Sequence, residues 1–282
     1  MDDIAVRQCV RGVMVATDDL CMASKDGDSL VTLVARTLHG KRSHTLAARV
    51  RALQFASTMK HLLALCLLAS SAIAADVATI TTEELPSLVA LYQELHAHPE
   101  LSLHEEQTAA RIAKELRAAG LEVTEKVGGH GVVGVLKNGD GPVILVRTDL
   151  DALPIREQTG LPYASTRTVK DDQGRDVPVM HACGHDIHMA CFVGTARALG
   201  RLREKWSGTL VMIGQPAEER VIGARLMLRA GLYDRFPRPD QAVALHCQPD
   251  LAHGRIGLRE GHANANVDTL EILVRGVGAH GS

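Results

Sequence analysis

Apolar residues recur at helical spacing in two early segments, and each segment follows a capping box. Thr81 with Glu84 predicts a helix that runs to about residue 98, and Ser102 with Glu105 predicts a second helix. In such a box the Ser or Thr and the Glu three positions later satisfy the first N–H groups of the helix. Gly120 is expected to end the second helix. The core face of that helix is predicted to consist of Ala109, Ile112, Ala113 and Leu116.

Short apolar runs of strand length follow. They cover residues 121–127, 132–136, 143–147, 209–213 and 242–245, with helical spacing near 186–200 and 221–230. Buried strands that alternate with helices predict an α/β fold, with a mixed, largely parallel sheet flanked by helices on both faces. After Gly261 the pattern changes, and residues 267–274 alternate as a half-exposed strand. This change predicts the start of a new unit.

Composition narrows the possible functions. The chain has 282 residues, of which 46% are hydrophobic and only 2% are aromatic, as suits helices packed on an aliphatic sheet. The formal net charge of −2 gives no basic surface for nucleic acid, so we expect no nucleic-acid partner. The six cysteines are scattered without regular spacing, which excludes a disulfide framework and a paired Cys-x-x-Cys zinc module.

Residues 59–75 have the anatomy of a secretory signal peptide. A basic start at Met59 precedes a compact apolar run at 62–69 and a small-residue segment at 70–75. The run is shorter than the roughly 20 residues that cross a bilayer, so we expect no stable membrane anchor. The mature protein is then expected to begin near Asp76 and to be secreted or periplasmic. If residues 1–58 are translated, the same segment is a buried helix of a cytoplasmic protein.

Residues with metal-binding or acid–base side chains follow the predicted strands or open the helix near 186. They are Asp149, Asp151, Cys183, His185, Glu218, Glu219 and His246. Ligands of open α/β sheets gather at the carboxyl ends of the strands, so we expect these side chains to meet at one edge. A thiolate, imidazoles and a carboxylate suit zinc or another late first-row divalent ion. Of two adjacent glutamates, one can bind metal while the other accepts a proton from water.

Each of these signals is weak alone. A Cys-x-His occurs by chance or in a structural zinc site, a Glu-Glu pair is usually solvated, and a strand-end His is usually structural. His181 and His188 are expected to be outer hydrogen-bond donors at most. His98 and His104 are expected to be exposed, and so is His96 unless the adjoining Pro-Glu-Leu-Ser pattern gives it a role.

Five segments in order are far more specific than any single residue. They read LHAHPELS at 95–102, RTDLDALP at 147–154, MHACGHD at 180–186, QPAEE at 215–219 and GVGAHG at 276–281. Together they closely resemble the aminoacylase/carboxypeptidase-type metallopeptidase family. The similarity lies with its amidohydrolase branch of hippurate hydrolases, auxin-conjugate hydrolases and N-acyl-amino-acid deacylases, and it extends over about residues 83–282.

The resemblance implies a role for each matching residue. Cys183 would bridge two divalent metal ions (Zn, Mn, Co or Ni), with His185, Glu219 and His246 as further ligands. Glu218 would be the general acid/base, supported by Asp151 behind the ligands. His280 would belong to a lid and dimerisation domain and would contact substrate in a neighbouring subunit's site.

The resemblance also implies a division of the chain. Residues 1–58 are an unassigned extension, 59–75 the signal peptide, 76–262 the first part of the catalytic domain and 263–282 the beginning of a smaller α+β lid domain. The family supplies one more ligand histidine from a later segment, so the chain is expected to be truncated at its C-terminus.

The expected activity is hydrolysis of the amide bond of small N-acyl amino acids, hippurate-like or N-acetylated, by metal-activated water. A full-length protein would be a homodimer. Two alternatives stay open: a di- or carboxypeptidase of the same superfamily, and a non-catalytic metal-binding protein or inactive fragment.

Overall fold

The computed structural model of the chain describes residues 76–252 and 254–261, together with residues 270 and 272. The predicted extension, the signal peptide and His280 lie outside the described residues, as does nearly all of the predicted strand 267–274. No helix within the described ranges is long and apolar enough to cross a bilayer.

Two helices precede the sheet. The described part of α1 covers 76–97, and α2 covers Glu106–Ala118. The predicted start of α1 is wrong, because Thr81 lies inside the helix and its hydroxyl donates to the carbonyl of Val77 at 2.8 Å. The predicted ends are confirmed: α1 stops near residue 98, and Gly120 follows α2 in the left-handed conformation, with φ +89°.

The predicted capping box at the start of α2 is not formed. The helix begins at Glu106, and neither Ser102 nor Glu105 caps it. The carboxylate of Glu100 takes that place, since it accepts the N–H of Gln107 at 3.3 Å and of Thr108 at 2.7 Å. Ser102 and Glu105 are therefore available for other contacts.

Every predicted strand between residues 121 and 245 is confirmed, with shifted ends. In chain order the strands are β1 (Glu122–Thr124), β2 (Val132–Asn138), β3 (Val143–Asp149), β4 (Thr168–Lys170), β5 (Asp176–Pro178), β6 (Gly208–Gln215) and β7 (Gln241–Ala244). Strands β4 and β5 were not predicted, and they form a separate antiparallel pair. The later helices are α3 (His185–Arg201), α4 (Gly223–Arg229) and α5 (Leu232–Arg235), with a 3-10 turn at Arg203–Lys205.

The main sheet has the order β1-β2-β6-β3-β7. Strand β3 pairs in parallel with β6 and β7, whereas β2 is antiparallel to β1 and β6. Four of the five strands therefore run in one direction, as predicted. The carboxyl ends of β3 and β6 are level, because Asp149 pairs with Gln215.

Helices cover both faces of the sheet. On one face α1, α2 and α3 bury an aliphatic core that includes Leu88, Ile112 and Met189. On the other face, Met227 of α4 and Leu232 of α5 pack against β2, β3 and β6. Strand β7 differs, since all four of its residues are exposed.

Candidate metal centre

The predicted convergence of polar residues at the carboxyl edge of the sheet is observed. Asp149 ends β3 and Asp151 follows it, while Glu218 and Glu219 lie in the turn after β6. The helix α3 begins at His185, so the imidazole is held at the same edge.

His185 lies at the centre of these polar residues. Its side chain is 1% exposed, and its Nδ1 lies 2.8 Å from the carbonyl oxygen of Asp151. Because a carbonyl oxygen only accepts hydrogen bonds, Nδ1 carries a proton and donates it. In the neutral ring this leaves the lone pair on Nε2, directed into the site. Fixing the tautomer in this way is the usual second role of a metal-binding histidine.

Three carboxylate oxygens surround that lone pair at nearly equal distances. Nε2 of His185 lies 3.7 Å from Asp149 Oδ2, 3.8 Å from Glu218 Oε2 and 3.7 Å from Glu219 Oε1. Within the described part of the chain, neither His185 Nε2 nor Glu219 Oε1 has a hydrogen-bond partner. Ligand atoms of a tetrahedral zinc ion are about 3.4 Å apart, so this spacing fits a shared divalent cation.

The charges around His185 favour a cation. Burial lowers the pKa of His185, but the hydrogen bonds to Asp151 and the charge of Asp149 outweigh it and raise this pKa to about 9. The same negative field that retains a proton on Nε2 would attract a metal ion in its place.

Cys183 and His246 form a second group beside His185. Cys183 Sγ lies 3.4 Å from His246 Nε2, and His246 Nδ1 lies 2.7 Å from the carbonyl of Cys247, which fixes this tautomer too. One ligand atom each from Cys183, His185 and His246 lie within 4.8 Å of one another. The loops pack closely because Gly184 has φ +82°, and a Cβ there would collide with the sulfur of Cys247.

The thiol of Cys183 needs a cation to ionise. Burial and the neighbouring charges of Glu219 and Glu218 raise its pKa to about 12. A divalent ion among these groups would reverse that effect, as metal binding does for coordinating thiols.

Asp151 lies behind these groups and holds them in place. It is fully buried, and its Oδ2 accepts the hydroxyl of Ser102 at 2.6 Å and the N–H of Glu219 at 3.0 Å. Burial raises the pKa of Asp151, but hydrogen bonds from His185, Ser102 and Glu219 outweigh it and lower this pKa overall. Asp151 is thus an ionised residue that orients Glu219 and His185.

Glu218 differs from its neighbour. Its side chain is 37% exposed against 19% for Glu219, so it faces the open side of the site. Burial and the charge of Asp149 raise the pKa of Glu218, which brings this carboxylate closer to the basicity that a general base requires. The two adjacent glutamates therefore have different surroundings.

The remaining histidines depart in part from prediction. His98 and His104 are exposed, as expected, but His96 is buried between Asp186 and Glu157, at 2.6 and 2.9 Å. His181 is buried, and neither of its ring nitrogens has a hydrogen-bond partner among the described residues, so the predicted donor role is not observed.

His188 is placed against the second group. Its Nε2 accepts the N–H of Cys247 at 2.9 Å, and its Nδ1 lies 3.7 Å from Asp149 Oδ2. It is a buried acceptor that fixes the segment following β7. Asp149 in turn forms an ion pair with Arg147. No sequence signal indicated this contact, since His188 and Cys247 are 59 positions apart.

Comparison with known proteins gives a consistent result. The chain is 42% identical over 195 residues to N-acetylcysteine deacetylase of Bacillus subtilis, covering 68% of this chain and 48% of that protein. It is 38% identical over 190 residues to hippurate hydrolase of Campylobacter jejuni, covering 67% and 46%. The chain thus spans about half the length of these curated relatives.

A solved structure shows the same fold. It is a dinuclear metal-binding peptidase of Bacillus subtilis, 39% identical, with a TM-score of 0.52 over 59% of this chain and 44% of that one. The family model described as Peptidase family M20/M25/M40 matches residues 145–276. This segment holds β3, α3 and β6 with the polar residues at their ends, so the part of the chain that carries the site matches the M20/M25/M40 peptidase family.

Proposed function

We propose that this chain is the catalytic part of a metal-dependent amidohydrolase that acts on N-acyl amino acids. The observation that supports it best is the unpartnered Nε2 of His185, which faces three carboxylate oxygens at 3.7–3.8 Å. The substrate class is supported by the names of the relatives, which are deacetylases and a hippurate hydrolase.

The ligands proposed for two divalent ions (Zn, Mn, Co or Ni) are Cys183, His185, Glu219 and His246. Their donor atoms fit, since both histidines bind a backbone carbonyl through Nδ1, which leaves Nε2 to bind metal, and Glu219 Oε1 has no other partner among the described residues. When bound, two such ions lower the pKa of a water molecule and polarise a carbonyl group.

Glu218 is proposed as the general base and acid. As the water oxygen bonds to the amide carbonyl carbon, Glu218 accepts the released proton. It then transfers this proton to the amide nitrogen as the C–N bond breaks, giving a carboxylic acid and a free amino acid. Its position on the open side of the site supports this role, because Glu218 is the more exposed of the two glutamates.

The test is turnover by the full chain with added Zn²⁺ or Mn²⁺. N-acetyl and N-benzoyl amino acids are expected to be hydrolysed faster than dipeptides. Glu218→Gln is expected to lower kcat by about 10²–10⁴-fold, the usual contribution of a general base, with its metal content unchanged. Glu106→Gln, which changes an exposed glutamate at the start of α2, is the matched control and should retain full activity.

Two outcomes would contradict the proposal. Undiminished activity of Glu218→Gln would exclude Glu218 as the base. A preference for dipeptides would favour the peptidase alternative over the amidohydrolase.

We also propose export and dimerisation. The pattern of residues 59–75 supports cleavage near Asp76, and N-terminal sequencing of the protein recovered from the periplasm would test it.

His280 is proposed to contact substrate in a partner subunit's site. A His280→Ala variant with raised KM and unchanged metal affinity would agree with that role.

A further inference from the structure

We infer that Glu105 is a positioning residue that holds the Glu218–Glu219 turn in its working conformation. This inference rests on the proposed function, in which Glu219 binds metal and Glu218 transfers the proton. Glu105 lies on a different element, just before α2, and is more than one hundred positions away in sequence.

One oxygen of Glu105 restrains two unusual residues. The side chain is fully buried, and Oε1 accepts the N–H of Leu103 at 2.9 Å and the N–H of Ala217 at 2.7 Å. Both have positive φ, 71° for Leu103 and 47° for Ala217. Residues other than glycine avoid this region, and they persist there only where surrounding contacts fix them.

The restrained residue directly precedes the proposed base. Ala217 is itself fully buried, and the chain turns again at Val221, with φ 55°. The direction in which Glu218 and Glu219 leave the turn depends on the backbone angles at Ala217. A carboxylate that fixes those angles therefore orients both glutamates.

A second contact from the same short segment holds the other side of the turn. Ser102 donates to Asp151 at 2.6 Å, and the same oxygen of Asp151 accepts the N–H of Glu219 at 3.0 Å. Residues 102–105 thus restrain the turn at two points, through Glu105 at Ala217 and through Asp151 at Glu219. Ser102 and Glu105, which have the spacing of a capping box, therefore restrain this turn and do not cap α2.

The unused oxygen of Glu105 provides a conservative variant. Oε2 has no hydrogen-bond partner in the described part of the chain, so both bonds depend on Oε1 alone. A glutamine keeps one carbonyl oxygen at that place and can preserve both bonds. Alanine removes them.

The experiment uses Glu105→Ala, Glu105→Gln and the double variant Glu105→Ala/Ala217→Gly. Amide hydrogen exchange of residues 214–222 and the Kd for Zn²⁺ by calorimetry are measured on the full chain. Glu105→Ala is expected to exchange faster in that segment and to bind Zn²⁺ about 10–100-fold more weakly, as after loss of other partners behind metal ligands. Glu105→Gln should match the wild type in both.

The double variant gives the sharpest result. Glycine adopts positive φ without strain, so Ala217→Gly should recover part of the lost Zn²⁺ affinity in the Glu105→Ala background. A merely structural role of Glu105 predicts no such recovery. If Glu105→Ala does not fold, Glu105→Leu, which fills the same space without an acceptor, replaces it in both variants.

The matched control is Glu115→Ala. Glu115 is another buried glutamate, on α2, but it pairs with Arg111 and Arg197 and does not contact the turn. Its loss should lower thermal stability without changing Zn²⁺ affinity or exchange in 214–222. An equal loss of Zn²⁺ affinity in Glu105→Ala and Glu115→Ala would overturn the inference. So would unchanged amide exchange of residues 214–222 in Glu105→Ala. A wild type that binds no Zn²⁺ would instead refute the proposed function, while the exchange data would still decide the role of Glu105.

Discussion

The metal centre has two halves with contrasting construction. The buried half consists of His185 and Glu219, held by Asp151 between the ends of β3 and β6. The open half consists of Cys183 and His246, and His246 is exposed on the segment after the edge strand β7. The buried half is thus fixed by the core, whereas the open half depends on loops.

This contrast implies an order of binding. Electrostatic attraction is stronger where water is excluded, and Asp149 and Asp151 beside His185 are buried. We therefore expect the first cation to bind at the buried half. The open half should bind a second cation more weakly.

The largest expected effect comes from removing the residue that both halves share. His185 belongs to the group with Glu218 and Glu219 and to the group with Cys183 and His246. His185→Ala should weaken Zn²⁺ binding by more than the 10–100-fold typical of residues behind the ligands. Calorimetry measures this, with the exposed His104→Ala as control. Retained affinity in His185→Ala would refute the shared centre.

A smaller effect, confined to the buried half, is expected for Asp151→Asn. The amide retains the size of the side chain and the backbone carbonyl that binds His185, but it removes the carboxylate charge that accepts the N–H of Glu219 and lies 3.6 Å from His185 Nδ1. Zn²⁺ affinity for the first ion should fall by about 10–100-fold, with little change at the second. A titration that resolves two binding steps would show this. If only the second step weakened, the assignment of Asp151 to the buried half would be wrong.

A still smaller effect is expected in the open half from His188→Ala. This change removes the acceptor for the N–H of Cys247 and loosens the segment that carries His246. Loss of one hydrogen bond, about 0.5–1.5 kcal/mol, corresponds to about 2–10-fold in affinity. The second binding step should weaken by that factor, and the first should not. Weakening of the first Zn²⁺ binding step alone would contradict the assignment of His188 to the open half.

The smallest effect on the centre is expected for His96, which contributes to stability. Burial lowers its pKa, but hydrogen bonds to Asp186 and Glu157 outweigh it and raise this pKa to about 9. A folded-state pKa above the unfolded value near 6.5 stabilises the fold fully below pH 6.5, and the contribution is lost as pH rises through about 9.

Urea unfolding between pH 6 and 10 measures this contribution. The wild type should lose unfolding free energy over that interval, and His96→Gln should lack most of the dependence. Equal pH dependence in both proteins would assign the effect to other groups.

Periodicity predicted the sheet and the meeting of the strand ends, because both follow from local patterns of apolar residues. Periodicity failed where contacts between residues far apart in sequence determine the partners of a side chain. Ser102 and Glu105 have the spacing of a capping box, yet Asp151 and Ala217 are their partners. His96 looked like an exposed helix residue, but Asp186, 90 positions away, buries it. No window of sequence contains both members of such a pair.

The measurement that tests the two-half account most directly is a Zn²⁺ titration of Glu219→Ala beside His246→Ala, with metal-free wild type as reference. The account predicts two binding steps for the wild type, loss of the tighter step in Glu219→Ala and loss of only the weaker step in His246→Ala. Equal effects of the two substitutions, or a wild type without Zn²⁺ binding, would contradict it.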